Sequence, residues 1–239
     1  MGLVKILLVV LVYAQILDAR RNSLLVNASL QVVERGPKEV EPKPKEVPIK
    51  PGNTVAIGIY MEAQCPDTTR FITKQLIPTW NQLRTSGRLQ MTIVPFGKAR
   101  CQQVDNDFKC DCQHGERECE LNQLMNCAID QLVYPDLYIP IIGCIQGKTD
   151  LNNAYQTCIE KNKQLHPEKL LDCAKGTRGR HLLALAGQKT VALNPALTFV
   201  PWVMLDGERN IDAFYALNEN VCKRLEPRPQ ECNGVPIPQ

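Results

Sequence analysis

The sequence predicts an α/β fold with a disulfide-stapled helical insertion, and three observations support this prediction. A short apolar run rich in β-branched residues at 54–60 is typical of a buried strand, and an alternating run at 89–96 is typical of a second one. Between about 101 and 193 the chain becomes rich in cysteine and polar helix formers, with repeated helical spacing. Strand-like sequence returns only at 197–205. We therefore expect one α/β domain that is interrupted by a helical segment.

The N-terminal residues are typical of a secretory leader. Lys5 precedes an apolar stretch of about eleven residues, and Arg20-Arg21 follow it. Because this stretch is too short to cross a bilayer, we expect a signal peptide at 1–19 and no integral membrane span. A buried core helix is the alternative interpretation. Asn27 begins an Asn-Ala-Ser glycosylation sequon, which weakly supports entry into the secretory pathway.

Residues 20–52 are predicted to form a linker. Its second half, 35–52, contains five prolines among alternating Lys and Glu and little that a core would bury. This composition favours an extended, solvated chain. A polyproline-type recognition ligand is the alternative. The folded domain is then expected at 53–225, with a C-terminal tail at 226–239.

The cysteine count points to an oxidising compartment. Eleven cysteines follow the predicted signal peptide, and because eleven is odd, five disulfides would leave one thiol. Cys65 is the candidate for that thiol because it stands 36 residues from its nearest neighbour. Zinc binding is the alternative, but the chain lacks paired CxxC knuckles. Structural disulfides are predicted for the other ten, which are Cys101, Cys110, Cys112, Cys119, Cys127, Cys144, Cys158, Cys173, Cys222 and Cys232.

The charge pattern argues against a nucleic-acid partner. The 28 Lys and Arg residues are balanced by 25 Asp and Glu residues, so the formal net charge is only +3. The chain has no basic stripe, and aromatic residues make up 5% of it. Binding to nucleic acid depends on concentrated positive charge and on stacking side chains, so this class of function is not expected.

The elements around Cys65 are predicted in the order strand, cysteine turn, helix, strand. Residues 69–83 have apolar side chains on one helical face, and Pro78 predicts a kink within that helix. Beyond the late strand at 197–205, Asp206-Gly207 predicts a turn. A closing amphipathic helix is expected at 211–225.

Cys65 lies where a thiolate is stabilised. It follows a buried strand and precedes a helix, and the unpaired N–H groups and dipole of a helix N-terminus favour an anion there. Asp67 opposes this effect if its carboxylate lies close. In a CxxC dithiol site the fourth position resolves the mixed disulfide, but here it is Thr68, whose hydroxyl can hydrogen-bond to a thiolate and cannot attack a disulfide. The alternative is that Cys65 is a structural cysteine and Thr68 a helix cap.

Val200-Pro201 supports the catalytic interpretation. A proline at the entry to a strand, far downstream of a strand-Cys-helix unit, is a candidate for a cis-proline turn that faces the thiol. The backbone beside such a turn is available to pair with a substrate peptide. We therefore include Pro201 with Cys65 and Thr68 among the candidate catalytic residues.

The segment from Cys112 to Cys127 carries the most specific pattern. It resembles, without a mismatch, the CQHG-x2-EC-x2-N-x4-C signature of the gamma-interferon-inducible lysosomal thiol reductase family. Further similarity comes from Cys65-Pro66-Asp67, from 95–99 and from Val200-Pro201-Trp202-Val203. Together these motifs span about 54–225, the whole predicted domain.

This resemblance implies a thioredoxin-like fold with a helical insertion, a secreted or endolysosomal location and the reduction of protein disulfides. Cys65 matches the nucleophilic cysteine of the family and Pro201 matches the cis-proline of the fold, whereas Thr68 departs from the resolving cysteine of dithiol members. We expect a thiol-disulfide oxidoreductase whose partners are disulfide-containing proteins and a low-molecular-weight thiol, with no bound cofactor or metal. The alternative is a secreted binding protein in host defence that has lost redox turnover.

His114, within the signature, has two interpretations. It is a candidate base for Cys65, because imidazole titrates near neutral pH. Alternatively, it is a turn residue that is hydrogen-bonded inside the insertion. No sequence feature places it near residue 65, which favours the second interpretation.

Overall fold

The computed structural model describes residues 51–236. The expected signal peptide at 1–19, the glycosylation site at Asn27 and all but the last two residues of the expected linker lie outside the described residues, as do residues 237–239.

A four-stranded sheet forms the centre of the fold. Its strands are β1 (Val55–Met61), β2 (Leu89–Pro95), β5 (Trp202–Leu205) and β6 (Glu208–Arg209), in the spatial order β2-β1-β5-β6. β1 pairs with β2 in parallel and with β5 antiparallel, and β6 pairs antiparallel with β5. The strand-helix-strand unit is therefore followed by a hairpin and a helix, which is the thioredoxin-like arrangement that the resemblance implied.

The crossover between β1 and β2 is a run of helical turns. It comprises α1 (Pro66–Phe71), a π-helical turn (Ile72–Leu76), α2 (Ile77–Leu83) and a 3₁₀ turn (Arg84–Ser86). A parallel pair requires such a crossover, because a tight turn cannot reverse the chain direction twice. The π turn directly precedes α2, in which Pro78 has a missing N–H and a bulky ring that disturb an α-helix. The irregularity predicted at Pro78 thus takes the form of a widened turn before it.

The insertion between β2 and β5 begins with strands, which corrects the expectation of a helical segment from 101. β3 (Arg100–Val104) and β4 (Asp107–Asp111) form an antiparallel hairpin in which Cys101 opposes Cys110. The Cys101–Cys110 disulfide and the turn between β3 and β4 stabilise this hairpin, which contains few apolar residues. The remaining elements are α3 (Glu116–Leu132), α4 (Pro135–Ile145), α5 (Leu151–Ala154), a π turn (Tyr155–Ile159), a 3₁₀ turn (Lys163–Leu165), α6 (Pro167–Lys175) and α7 (Thr177–Val191).

Five disulfides involve the ten cysteines for which structural bridges were predicted. Four lie within the insertion: Cys101–Cys110, Cys112–Cys119, Cys127–Cys173 and Cys144–Cys158. The fifth, Cys222–Cys232, joins the last helix to the C-terminal segment. Among the described residues, Cys65 is the cysteine left without a disulfide.

The C-terminal part differs from the sequence-based boundaries. The strand expected at 197–205 forms only at Trp202–Leu205, and the helix expected at 211–225 is divided into a 3₁₀ turn at Asp212–Phe214 and α8 (Leu217–Arg224). Residues 226–236 are not a free tail, because Cys232 is fully buried and bridged to α8.

Arg88 explains how the start and end of the domain are joined. Its side chain is 1% exposed and donates hydrogen bonds to the backbone carbonyls of Asn53, Glu226 and Pro227. A buried guanidinium needs such partners for its N–H groups, and three carbonyls from the two termini of the domain supply them. The domain therefore continues beyond residue 225.

The core has two parts, one on each face of the sheet. Alternate β1 side chains, from Val55 to Met61, pack into the larger cluster with the crossover, α3, α4 and α8. A smaller cluster containing Val94 and Phe96 packs against α7 on the other face. No helix among residues 51–236 is long and apolar enough to cross a membrane.

Candidate active site

Cys65 lies at the junction between β1 and α1, where the sequence predicted it. It is the N-cap residue of α1, and Pro66 occupies the first helical turn, where the missing N–H leaves no helical hydrogen bond unmade. The backbone carbonyl of Cys65 accepts a hydrogen bond from the N–H of Thr69 at 3.0 Å. The residue is 9% exposed, so the thiol lies at the edge of the core rather than on an open surface.

Pro201 lies beside this cysteine. The Val200-Pro201 peptide bond is cis, as the sequence suggested, and the Sγ atom of Cys65 lies 3.7 Å from the carbonyl oxygen of Val200, to which it donates a hydrogen bond. The pairing of β5 with β1 produces this proximity, because Trp202 is the register partner of Tyr60. Two segments 135 residues apart thus meet at one sulfur atom.

Thr68 is close to Cys65 in sequence but does not hydrogen-bond to it. The Thr68 side chain is fully buried, and its Oγ1 atom has no hydrogen-bond partner among the described residues. The helix cap proposed as its alternative role is not seen either, because Thr68 lies inside α1 and Cys65 is the N-cap. A buried hydroxyl without a partner is unfavourable, so this position carries a cost that an apolar side chain would not.

Gln146, at the C-terminus of α4, belongs to the insertion and hydrogen-bonds to the loop that carries Cys65. Its Nε2 atom donates to the carbonyls of Glu62 at 3.1 Å and Cys65 at 3.4 Å, and it lies 3.2 Å from Thr69 Oγ1. The side chain is 6% exposed. A single glutamine at the end of an apolar helix gives no sequence signal for this role.

Asn122 holds the same loop, and here a sequence signal did exist. Its Oδ1 atom accepts a hydrogen bond from the N–H of Ala63 at 3.0 Å, and the side chain is fully buried in α3. Asn122 is the fixed asparagine of the signature. The signature therefore includes a residue that connects the insertion to the segment before Cys65.

His114 and Glu118, two further fixed residues of the signature, form a cluster with Glu62 in which both glutamates are buried and the histidine is exposed. His114 Nδ1 hydrogen-bonds to a carboxylate oxygen of Glu118 and lies 3.8 Å from Glu62 Oε1. Glu62 Oε2 accepts a hydrogen bond from the N–H of Lys98. Burial raises the pKa of Glu62, and the nearby Glu118 carboxylate raises it further, whereas Lys98 and His114 act in the opposite direction.

The hydrogen bonds of this cluster bear on the two interpretations of His114. The Sγ atom of Cys65 donates to Val200, and His114 bonds to Glu118, so the described residues contain no hydrogen bond between His114 and the sulfur. One atom from each of Glu62, His114 and Glu118 lies within 4.8 Å of the others, which makes them a geometrically possible cation-binding group. The His114 nitrogen already bonds to Glu118. The arrangement therefore agrees with a hydrogen-bonded residue that orders the start of α3.

Comparison with known proteins gives the family. The family described as "Gamma interferon inducible lysosomal thiol reductase (GILT)" matches residues 56–162. The mouse gamma-interferon-inducible lysosomal thiol reductase is 30% identical over 191 residues, which cover 79% of this chain and 75% of the mouse protein. This chain belongs to the GILT family.

One further relative agrees with this assignment, and a solved structure agrees with the fold. A GILT-like protein of Caenorhabditis elegans is 48% identical over 195 residues, 81% of this chain, although the matched part spans only 60% of that protein's length. Among solved structures, Chlamydia trachomatis DsbA superposes with a TM-score of 0.51 over 78% of this chain and 96% of its own, at 12% identity. The structural similarity supports the thioredoxin-like fold.

Proposed function

We propose that this chain is a monothiol reductase or isomerase of protein disulfides, with Cys65 as the nucleophile. GILT family membership supports thiol-disulfide chemistry in general. The observation that carries the specific proposal is the position of the unpaired Cys65 thiol, 3.7 Å from the carbonyl before Pro201. In this proposal a substrate peptide pairs with the backbone of the loop that carries this carbonyl.

In the first step the Cys65 thiolate attacks one sulfur of a substrate disulfide. A new S–S bond forms to Cys65, and the second substrate sulfur leaves as a thiolate that takes up a proton. Pro66 and the helical turns that follow place the sulfur at the N-terminal end of the crossover, beside the Val200 carbonyl.

Release requires a thiol from outside the site, because Thr68 carries a hydroxyl group and has no sulfur atom that could attack the mixed disulfide. A low-molecular-weight thiol attacks the Cys65 sulfur and releases the second substrate thiol. Another molecule of the same reductant then frees Cys65 and leaves as its own disulfide. Two external thiols are oxidised for each substrate disulfide reduced. If a further substrate cysteine attacks the mixed disulfide instead, the substrate is isomerised without net reduction.

The proposed setting is the secretory or endolysosomal pathway. The five disulfides are stable in such oxidising compartments. The expected substrates are therefore proteins that carry disulfides into the same compartment.

The test is the Cys65→Ser variant, assayed for reduction of a protein disulfide with excess low-molecular-weight thiol. Activity is expected to fall to the background of the thiol alone, because a serine hydroxyl forms no mixed disulfide. Mass spectrometry after acid quenching should show a Cys65 adduct only in the wild type. Wild-type activity in the Cys65→Ser variant would reject the mechanism, and an inert wild type would favour the binding-protein alternative.

A further inference from the structure

Arg209 is a cation that is held in place beside the active-site loop but has no acidic partner among the described residues. Its guanidinium carbon lies 3.9 Å from the centroid of the Trp202 ring and 5.1 Å from that of Phe199. The two rings are themselves 5.6 Å apart. Cation-π contacts of this kind restrict the side chain without using its N–H donors.

The direction of the Arg209 side chain follows from the register of β5 and β6. Arg209 is the register partner of Met204, yet its guanidinium stacks on Trp202, which is nearer to Pro201 along β5. Phe199, the second ring, directly precedes Val200, whose carbonyl contacts the Cys65 sulfur. The charged group is therefore carried toward the end of the hairpin at which Cys65 lies.

Arg70, Arg178 and Arg180 differ from Arg209 because each has an acidic partner. Arg178 and Arg180 bond through two nitrogens to Asp130 and Asp107. Arg70, close to Cys65 in sequence, pairs with Asp67 at 3.0 Å. No hydrogen bond or ion pair joins the Arg209 guanidinium to another residue between 51 and 236, although the residue is half-buried.

We propose that Arg209 binds a carboxylate of the molecule that exchanges disulfides with Cys65, an inference that rests on the proposed function. A guanidinium with free donors matches the two oxygens of a carboxylate, and its stacking on Trp202 and Phe199 reduces the entropy lost on binding. Two molecules could carry this carboxylate. It belongs either to the resolving thiol, such as a free amino acid thiol, or to an acidic residue beside the substrate cysteine. Arg209 is in this role a specificity residue rather than a participant in bond exchange.

The first arm of the test measures the resolving thiol. Cys65 of the full chain is converted to a mixed disulfide with 2-mercaptoethanol, which is neutral. The rate of its cleavage is then compared for L-cysteine and L-cysteinamide at equal thiolate concentration, since the two differ by the carboxylate. The wild type is expected to prefer cysteine about fivefold, the factor given by roughly 1 kcal/mol for a partly exposed ion pair. Arg209→Gln should react with both at similar rates.

The second arm measures the substrate. Cys65 attack is compared for two peptide disulfides that differ by Asp or Asn beside the reacting cysteine. A preference for Asp that is lost in Arg209→Gln assigns the carboxylate to the substrate, and a preference lost in the first arm assigns it to the reductant. Either result supports the proposal. The absence of any carboxylate preference in the wild type, or its full retention in Arg209→Gln, overturns it.

Two controls separate this inference from structural damage and from general charge effects. Arg70→Gln removes a nearby positive charge that already has a partner, so the wild-type preference should remain. Arg209→Lys keeps the charge and should retain part of the preference. Alkylation of Cys65 by neutral iodoacetamide should proceed at the wild-type rate in all three variants. If Cys65 attacks no disulfide in the wild type, the proposed function fails, whereas normal attack without a role for Arg209 rejects only the present inference.

Discussion

The sheet half of the domain and the insertion are stabilised in different ways. β1, β2, β5 and the crossover are held by paired strands and buried apolar side chains, and they contain the free thiol Cys65. The insertion contains four of the five disulfides, two of which close loops with sequence separations of only 7 and 9. Its first strands, at 100–111, are largely exposed and contribute little core.

This difference shows how one chain keeps a free thiol among ten other cysteines. The segments that place Cys65 need no disulfide of their own, so the sulfur has no nearby bridge within its supporting strands. Around its first hairpin, where apolar burial is limited, the insertion has the Cys101–Cys110 and Cys112–Cys119 disulfides. It contacts the segment around Cys65 through hydrogen bonds between uncharged groups: Asn122 accepts one from the Ala63 N–H, and Gln146 donates to the carbonyls of Glu62 and Cys65.

The largest expected effect on stability comes from removing a long-range disulfide of the insertion. Cys127→Ala with Cys173→Ala opens a loop with a sequence separation of 46 and should lower the free energy of unfolding by about 4 kcal/mol. Cys112→Ala with Cys119→Ala, at a separation of 7, should lower it by about 2 kcal/mol. Urea unfolding measures both.

The same variants also test the independence of the sheet half. Under native conditions the rate at which Cys65 attacks a small neutral disulfide should change less than about twofold, since fully folded molecules keep the same β1, β5 and crossover contacts. A large loss of this rate in the folded variants would contradict the separation of the two regions.

Gln146→Ala tests the link between the regions. The buried carbonyls of Glu62 and Cys65 lose a donor, and the free energy of unfolding should fall by about 2 kcal/mol. Gln131→Ala is the matched control, because its bond to the Lys169 carbonyl is exposed, and its effect should stay within about 0.5 kcal/mol. Equal effects of the two substitutions would mean that Gln146 does not anchor the loop.

Thr68→Cys should supply the resolving thiol that the site lacks. A second cysteine within the same helical turn acts at an effective concentration of about 1 mM or more. With external thiol near 0.1 mM, release of the mixed disulfide should therefore accelerate by about tenfold. The measurement is the lifetime of the Cys65 adduct, together with detection by mass spectrometry of a disulfide between Cys65 and the introduced thiol.

The matched control is Thr68→Val, which removes the hydroxyl at similar volume. Because Thr68 Oγ1 is buried without a partner among the described residues, activity should be unchanged and stability equal or slightly higher. A clear loss of activity in Thr68→Val would mean that the hydroxyl supports the thiolate during the reaction, as the sequence analysis allowed.

Glu62→Gln should have the smallest effect, visible only as a pH dependence. A carboxyl group whose pKa is raised in the folded state binds its proton more tightly there than in the unfolded chain. Ionised Glu62 therefore weakens the fold as pH rises through the raised pKa, and glutamine removes this contribution while keeping an acceptor for the Lys98 N–H. The free energy of unfolding of the variant minus that of the wild type should therefore be more positive at about pH 7 than at about pH 4, as measured by urea unfolding. An equal difference at both pH values would show that Glu62 does not titrate in this range.

Much of the fold followed from local patterns. Buried strands at 54–60 and 89–96, the cysteine turn and the late turn at Asp206-Gly207 agree with the structure within a residue or two. The hairpin at 100–111 was missed because its strands are polar and lack a clean alternation of apolar and polar residues. A disulfide between the register partners Cys101 and Cys110 holds these strands together instead. The closing helix was overestimated, since the apolar pattern at 211–225 continues across a 3₁₀ turn.

By itself, the sequence determined the α/β class, the odd cysteine, the signature and the family, because each depends on residue identity or short-range spacing. Only the tertiary structure decided which atoms meet. It placed Val200 against Cys65, Gln146 and Asn122 against the loop, His114 against two glutamates and Arg209 near the site with no ion-pair partner among the described residues. These contacts join residues far apart in the chain, and their geometry depends on strand register and on the packing of the insertion, which local sequence does not encode.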